Sequence, residues 1–263
     1  MNFFLILLAI APGLLISYAI YRVDKFDKES HWQLIICFIL GMLVTFPAMK
    51  LEEFGESYGL EDSTNLGPLL LLSYGVVGFS EEFVKFLALM LYGYPRKEFN
   101  EPLDGIVYTV MIGMGFATLE NIIYADLFGM ETTLLRAITA VPAHAVFAVT
   151  MGYYVGLAKF NKKKRWKLIT TGLLLAVFIH GTYDFFILQQ YYDWLMVFAT
   201  LTLCISAYFA IQLIRLHQYN SPFRESATVT SNNLNTEDIE DAEIIISDEN
   251  IDYFSDSEED EKE

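Results

Sequence analysis

Seven ionisable side chains interrupt long apolar stretches of this 263-residue chain: Glu81, Glu82, Lys85, Glu120, His144, His180 and Asp184. Their types suit hydrolysis. A charge at mid-bilayer costs roughly 2.5–3.5 kcal/mol, so the four carboxylates left isolated would cost roughly 10–14 kcal/mol. They must face one another across a bundle, and groups placed so expensively mark a functional site. Positions four apart share a helix face, which pairs Glu81 with Lys85 and leaves Glu82 without a local partner. A desolvated, unpaired glutamate suits a general base working near neutral pH.

His180 and Asp184 lie one helical turn apart, so the aspartate can orient the imidazole or serve as a ligand itself. Pro142, two residues before His144, has no backbone donor and is expected to bend its helix there. Glu120 and Asn121 fall near the end of their stretch, where lining a site and bridging an interface are both open. For each residue the plainer alternative is a polar bond between packed helices. Two histidines accompanied by several carboxylates favour a metal site or a water-activating hydrolase. His31 and His217 sit at stretch ends among mixed charges and read as surface residues.

Seven apolar stretches must position these groups: 2–21, 32–49, 66–92, 103–123, 133–158, 166–188 and 192–214. Each is long enough to cross a hydrocarbon core that needs about 20 helical residues. They lack the alternation of a membrane barrel, so the fold expected is an all-α polytopic bundle of about seven transmembrane helices. The first stretch has no preceding base and no small-residue cleavage site, and reads as a retained helix. Thr109, Gly113 and Ala117, spaced by four, permit close helix contact. The seventh stretch has no ionisable residue between Trp194 and Gln212 and reads as structural.

Composition agrees. Apolar residues make up 54% of the chain and the mean hydropathy is +0.37, above the soluble norm. The net charge of −16 resides in one place: residues 225–263 hold 15 acids and one lysine, leaving 18 acids and 16 bases elsewhere. No basic surface for nucleic acid is available. Cys37 and Cys204 both sit in apolar runs and offer neither a disulfide framework nor a CxxC metal site. The division expected is a transmembrane domain, 1–215, and a disordered acidic tail, 216–263, whose only apolar island is Ile244 to Ile246. Bases alternate loop by loop, with Arg22, Lys25 and Lys28, then Arg96 and Lys97, then the run from Lys162 to Lys167. By the positive-inside rule these loops are cytoplasmic, the N-terminus is outside and the tail inside.

The pattern resembles the PrsW family of intramembrane proteases, relatives of the CAAX-processing and bacteriocin-processing membrane proteases. The resemblance rests on Ile10 to Gly13, Glu81 to Lys85, Asp104 to Tyr108, Gly115 to Asn121, Arg136 to His144, Gly152, and His180 to Asp184. These occur in order over most of residues 1–215; the acidic tail lies outside the pattern. The resemblance implies an endopeptidase in a bacterial plasma membrane that cuts single-pass membrane proteins. The best-known family role is the first cut of an anti-sigma factor in regulated intramembrane proteolysis, which releases a stress response. It further implies that Glu81, Glu82, His144 and His180 carry catalysis, supported by Lys85, Glu120, Asn121 and Asp184. The family is labelled a metalloprotease with zinc presumed, and His144, His180 and Glu120 are the ligands expected here. The chain has no HExxH, and its histidines and carboxylates can bind zinc or activate water directly.

The mechanism expected is peptide hydrolysis by a water that Glu82 activates, with Glu81 and Lys85 positioning that base. Two other classes share some of these features. A proton- or cation-coupled transporter also buries carboxylates and histidines, but the two corresponding halves with broken helices that such folds carry are not evident. A non-catalytic scaffold for transmembrane helices would lack one of the glutamates or histidines, and all are present.

Overall fold

The computed structural model describes residues 2–60 and 65–224. Residues 225–263, with the tail's acids and its isoleucine island, lie outside the described residues, whereas 216–219, expected to open the tail, form the last turn of a helix. Among the described residues every regular element is helical: α1 (Phe3–Val23), α2 (His31–Gly55), α3 (Leu66–Leu70), α4 (Phe79–Ala88), α5 (Pro102–Ile138), α6 (Ala140–Phe160), α7 (Arg165–Leu188) and α8 (Met196–Tyr219). A wider π-type turn, Leu71–Gly78, joins α3 to α4, and a second, Leu89–Gly93, extends α4, making one interrupted helical passage. The described residues thus form an all-α polytopic membrane bundle, in which five helical runs are long and apolar enough to cross a membrane.

α5 and α6 form the centre. Their combined run is 78% buried over its most apolar window, whereas that of α8 is 11% buried. The outer helices turn large apolar side chains such as Phe4, Leu15, Leu43, Leu174 and Ile205 outward, as a lipid-facing surface requires. The central pair packs backbone to backbone. A Cβ on Gly105 would meet Gly152 O at 2.5 Å and Gly156 Cα at 2.7 Å, so only glycine fits this seam. α2 approaches α5 from another side, where Gly41 faces the backbone of Ile112 and Gly115 that of Phe38.

Local signals set the helix ends. Pro102 occupies the first position of α5, where no backbone donor is needed. The Asp104 carboxylate accepts from the N–H groups of Asn100 and Glu101 at 2.8 and 2.9 Å. α6 starts at Ala140, so Pro142 lies in its first turn and bends nothing. The expected kink before His144 is absent for that reason.

The expected loop between the fourth and fifth stretches is helical as well. α5 continues through it and breaks at Gly129, whose φ of 76° is open to glycine. Beyond Gly129 the chain folds back. Residues sixteen apart on a straight helix would be about 24 Å apart, yet Arg136 reaches Glu120 at 2.8 Å. His217 is a second departure, since it is buried against Tyr153 with its ring nitrogen 3.2 Å from the Tyr153 carbonyl. The mixed charges around it had suggested exposure, but α8 runs on to Tyr219 and turns this face inward.

The loops rich in bases share one end of the bundle. Asn100 donates to Asp27 at 2.7 Å, which ties the loop after α1 to the loop before α5. Lys159 near the end of α6 donates to the Tyr94 carbonyl, and Gln218 of α8 donates to that of Val23.

Candidate active site

The interrupted passage of α3 and α4 presses against α7. A Cβ on Gly78 would meet Gly181 N at 3.2 Å, and the hydroxyls of Tyr74 and Thr182 are 3.0 Å apart. That contact sets the register bringing Glu82 to His180. The seam of α5 on α6 sets His144, and the turn at Gly129 brings in Arg136.

Four separate passages thereby converge. Glu81, Glu82, Lys85, His144 and His180 are each between 1 and 5% exposed. The Lys85 ammonium stands in the middle, 3.0 Å from Glu81 Oε2, 2.9 Å from Glu82 Oε1 and 3.0 Å from His144 Nδ1. The Phe116 ring flanks it, with the ring centroid 3.9 Å from Nζ. An ammonium only donates, so His144 Nδ1 accepts and the ring proton resides on Nε2. That N–H donates to Glu120 Oε2 at 2.9 Å, and the same oxygen is 2.8 Å from Arg136. His180 lies between two carboxylates, with Nδ1 2.9 Å from Glu82 Oε1 and Nε2 3.1 Å from Asp184 Oδ2. Phe147 stacks on its ring at 4.5 Å.

Most of the residues singled out in the sequence therefore come together, with three changes of detail. Glu82 is not unpaired, because Lys85 reaches it at i+3 as well as Glu81 at i+4, and His180 arrives from α7. Glu81 is the freer carboxylate. Its Oε2 is 3.9 Å from His144 Nδ1 and 4.0 Å from His180 Nε2, beyond direct hydrogen bonding. Asn121 points elsewhere and donates to the Ala9 carbonyl of α1 at 3.0 Å.

Two groups were given no site role in the sequence reading. Arg136 lies inside the fifth apolar stretch, and its charge there was the available signal. Glu52, near the end of α2, is within electrostatic reach of Glu81, Glu120, His180 and Asp184; its position beside the charged residues Lys50 and Glu53 made it look like loop.

One donor atom from each of Glu81, Glu82, His144 and His180 lies within 4.8 Å of the other three. Two carboxylates and two imidazoles at this separation form a set that a divalent ion can take. Glu120 stands outside this group and supports His144 from the far nitrogen, as carboxylates behind ligating histidines do. The Lys85 ammonium lies among the same donor atoms.

Fold and centre together define a polytopic α-helical membrane protein with a buried glutamate–histidine cluster. Residues 29–212 match the model of the PrsW family intramembrane metalloproteases, and the chain belongs to that family. It is 38% identical over 194 residues to a protein named Protease PrsW from Bacillus subtilis, covering 73% of this chain and 86% of the relative. A Geobacillus kaustophilus protein of the same name is 37% identical, covering 72% and 81%. One from Clostridioides difficile is 33% identical, covering 82% and 91%. No solved structure matches the chain. The chain is an intramembrane protease of this family, acting on membrane-protein substrates in a lipid environment.

Proposed function

We propose that this protease cuts single-pass membrane proteins of the anti-sigma-factor type, making the first cut in regulated intramembrane proteolysis. The observation that carries the reading is the convergence of Glu81, Glu82, Lys85, His144 and His180 from separate passages into one buried cluster. Relatives named Protease PrsW support the class of reaction. The proposed setting is a bacterial plasma membrane, with the N-terminus outside and the acidic tail cytoplasmic. The shared end of the base-rich loops supports this orientation. His144 lies four residues from the start of α6 and His180 eight from the end of α7, so the centre is about 6–12 Å from the opposite ends of those helices.

Glu81 is the residue we assign as general base. Its carboxylate is anchored through Lys85 alone among the described contacts, and it stands one water's width from both histidines. It takes a proton from the attacking water as that water adds to the scissile carbonyl. The oxyanion that develops needs positive charge nearby, which the Lys85 ammonium supplies, with His180 beside it. Glu82 holds both of those groups in place. The protonated Glu81 then returns that proton to the leaving amine as the C–N bond breaks, while His144, braced by Glu120 and Arg136, holds the Lys85 ammonium beside it. A divalent ion held by Glu81, Glu82, His144 and His180 would supply Lewis-acid polarisation of the carbonyl and a more acidic water.

Incubating the purified protein with candidate single-pass proteins and locating the cut by mass spectrometry tests the reading. A cut within or beside the substrate's membrane segment supports it. Intact substrates throughout, with the protein folded, count against the anti-sigma-factor assignment.

A further inference from the structure

A lysine in the middle of a donor set suited to a metal is a physical conflict. The Lys85 ammonium already engages Glu81 Oε2, Glu82 Oε1 and His144 Nδ1 at 2.9–3.0 Å, on three of the four residues a divalent ion would use. Zinc binds such oxygens and nitrogens at about 2.0–2.2 Å. An ion at that distance from the same three atoms would overlap the ammonium sterically and repel it electrostatically. The ammonium is also well seated. Its three N–H groups match three acceptors, and the Phe116 ring flanks it at 3.9 Å. Lys85 is 2% exposed.

We infer that the Lys85 ammonium is the resident cation of the Glu81, Glu82 and His144 cage, and that a divalent ion enters only by displacing it. The cage then has two mutually exclusive occupants: one built into the chain and one drawn from solution. Lys85 sets the threshold of metal concentration at which the second replaces the first. Phe116 adds to that threshold by holding the ammonium without offering any ligand of its own. The inference builds on the assignment of this cluster as the reactive centre, yet metal binding reads it without any cleavage.

Zinc and cobalt titrations of the full-length protein in detergent, followed by calorimetry and by the cobalt absorption spectrum, provide the test. Lys85→Met keeps the length of the side chain and removes its charge, and should bind zinc at least tenfold more tightly than the wild type. Phe116→Leu should bind it about threefold more tightly, while Lys85→Arg should gain nothing. Adding His144→Ala to Lys85→Met should abolish the gain. Equal or weaker zinc binding by a folded Lys85→Met protein overturns the inference, as does a gain that survives His144→Ala. If Lys85→Met does not fold, Phe116→Leu decides: affinity no higher than wild type overturns the inference. Substrate cleavage measured separately on the wild type reports on the proteolytic reading, so the two ideas fail by different measurements.

Discussion

Glu82 Oε1 lies 2.9 Å from His180 Nδ1, although 98 residues separate the two in the chain. The same oxygen is 2.9 Å from Lys85 Nζ, so one atom fixes both donors that face Glu81. Replacing Glu82 by glutamine keeps the shape and removes the charge that holds them. Cleavage should fall by about two to three orders of magnitude, with little change in the substrate concentration needed for half-maximal rate. A variant with normal turnover and impaired substrate binding would assign Glu82 to recognition instead.

Arg136 acts at one remove. It holds Glu120, which in turn holds the Nε2 hydrogen of His144, and its guanidinium lies 3.9 Å from the Tyr124 ring centroid. Groups that orient a working histidine typically cost 10–100-fold when removed. Arg136→Ala should lose about that factor in kcat. Arg136→Lys, which keeps the charge but not the planar fork, should recover part of it. Unaltered turnover in Arg136→Ala would show that Glu120 is held well enough without it.

The end of the bundle that carries the base-rich loops makes a prediction about pH. Burial raises the carboxyls of Asp24 to about 6, Glu29 to about 7 and Glu101 to about 7, against ordinary values near 4. Tyr108 explains part of the arrangement at Glu29. Its single hydroxyl hydrogen faces both Glu29 Oε2 at 2.5 Å and Gln33 Oε1 at 2.8 Å, and a protonated Glu29 resolves that conflict. These groups bind protons more tightly folded than unfolded, so stability falls as pH rises from about 4 through 7. The melting temperature in detergent should therefore decrease between pH 5 and pH 8. Glu29→Gln should flatten that slope and raise the melting temperature at pH 8. A Glu29→Gln slope as steep as the wild type's would remove Glu29 from the account.

The glycine seam makes a prediction about folding. Gly152 meets the backbone of Gly105 and Ile106, and Gly156 that of Pro102. Backbone cannot move aside as a side chain can. Gly152→Val should destabilise the bundle by about 1–3 kcal/mol or more and displace His144, eight residues away on α6. Comparing thermal unfolding and cleavage of this variant with the wild type checks both effects.

Much of this arrangement could be read in the residues themselves. The cost of charge in lipid pointed to Glu81, Glu82, Lys85, Glu120, His144, His180 and Asp184, and the bundle gathers all seven. Spacing also gave the Lys85 to Glu81 and the His180 to Asp184 pairs, because both lie within one helix. What spacing does not carry is contact between helices. The bond from His180 to Glu82 depends on Gly78 fitting against Gly181. The approach of Arg136 depends on the chain reversing at Gly129, a glycine inside what reads as a polar loop. Asn121 illustrates the converse. It adjoins Glu120 in sequence, but consecutive helical positions point about 100° apart, and its side chain faces α1.

The most direct test of the account replaces the assigned base alone. Purified wild type and Glu81→Gln, matched for helicity and thermal unfolding, are given the same single-pass substrate, and the initial rate of cleavage is measured. Loss of a positioned general base should lower the rate by about two to four orders of magnitude while the substrate still binds. Cleavage at a near-wild-type rate by Glu81→Gln would contradict the central claim that this buried carboxylate activates the water.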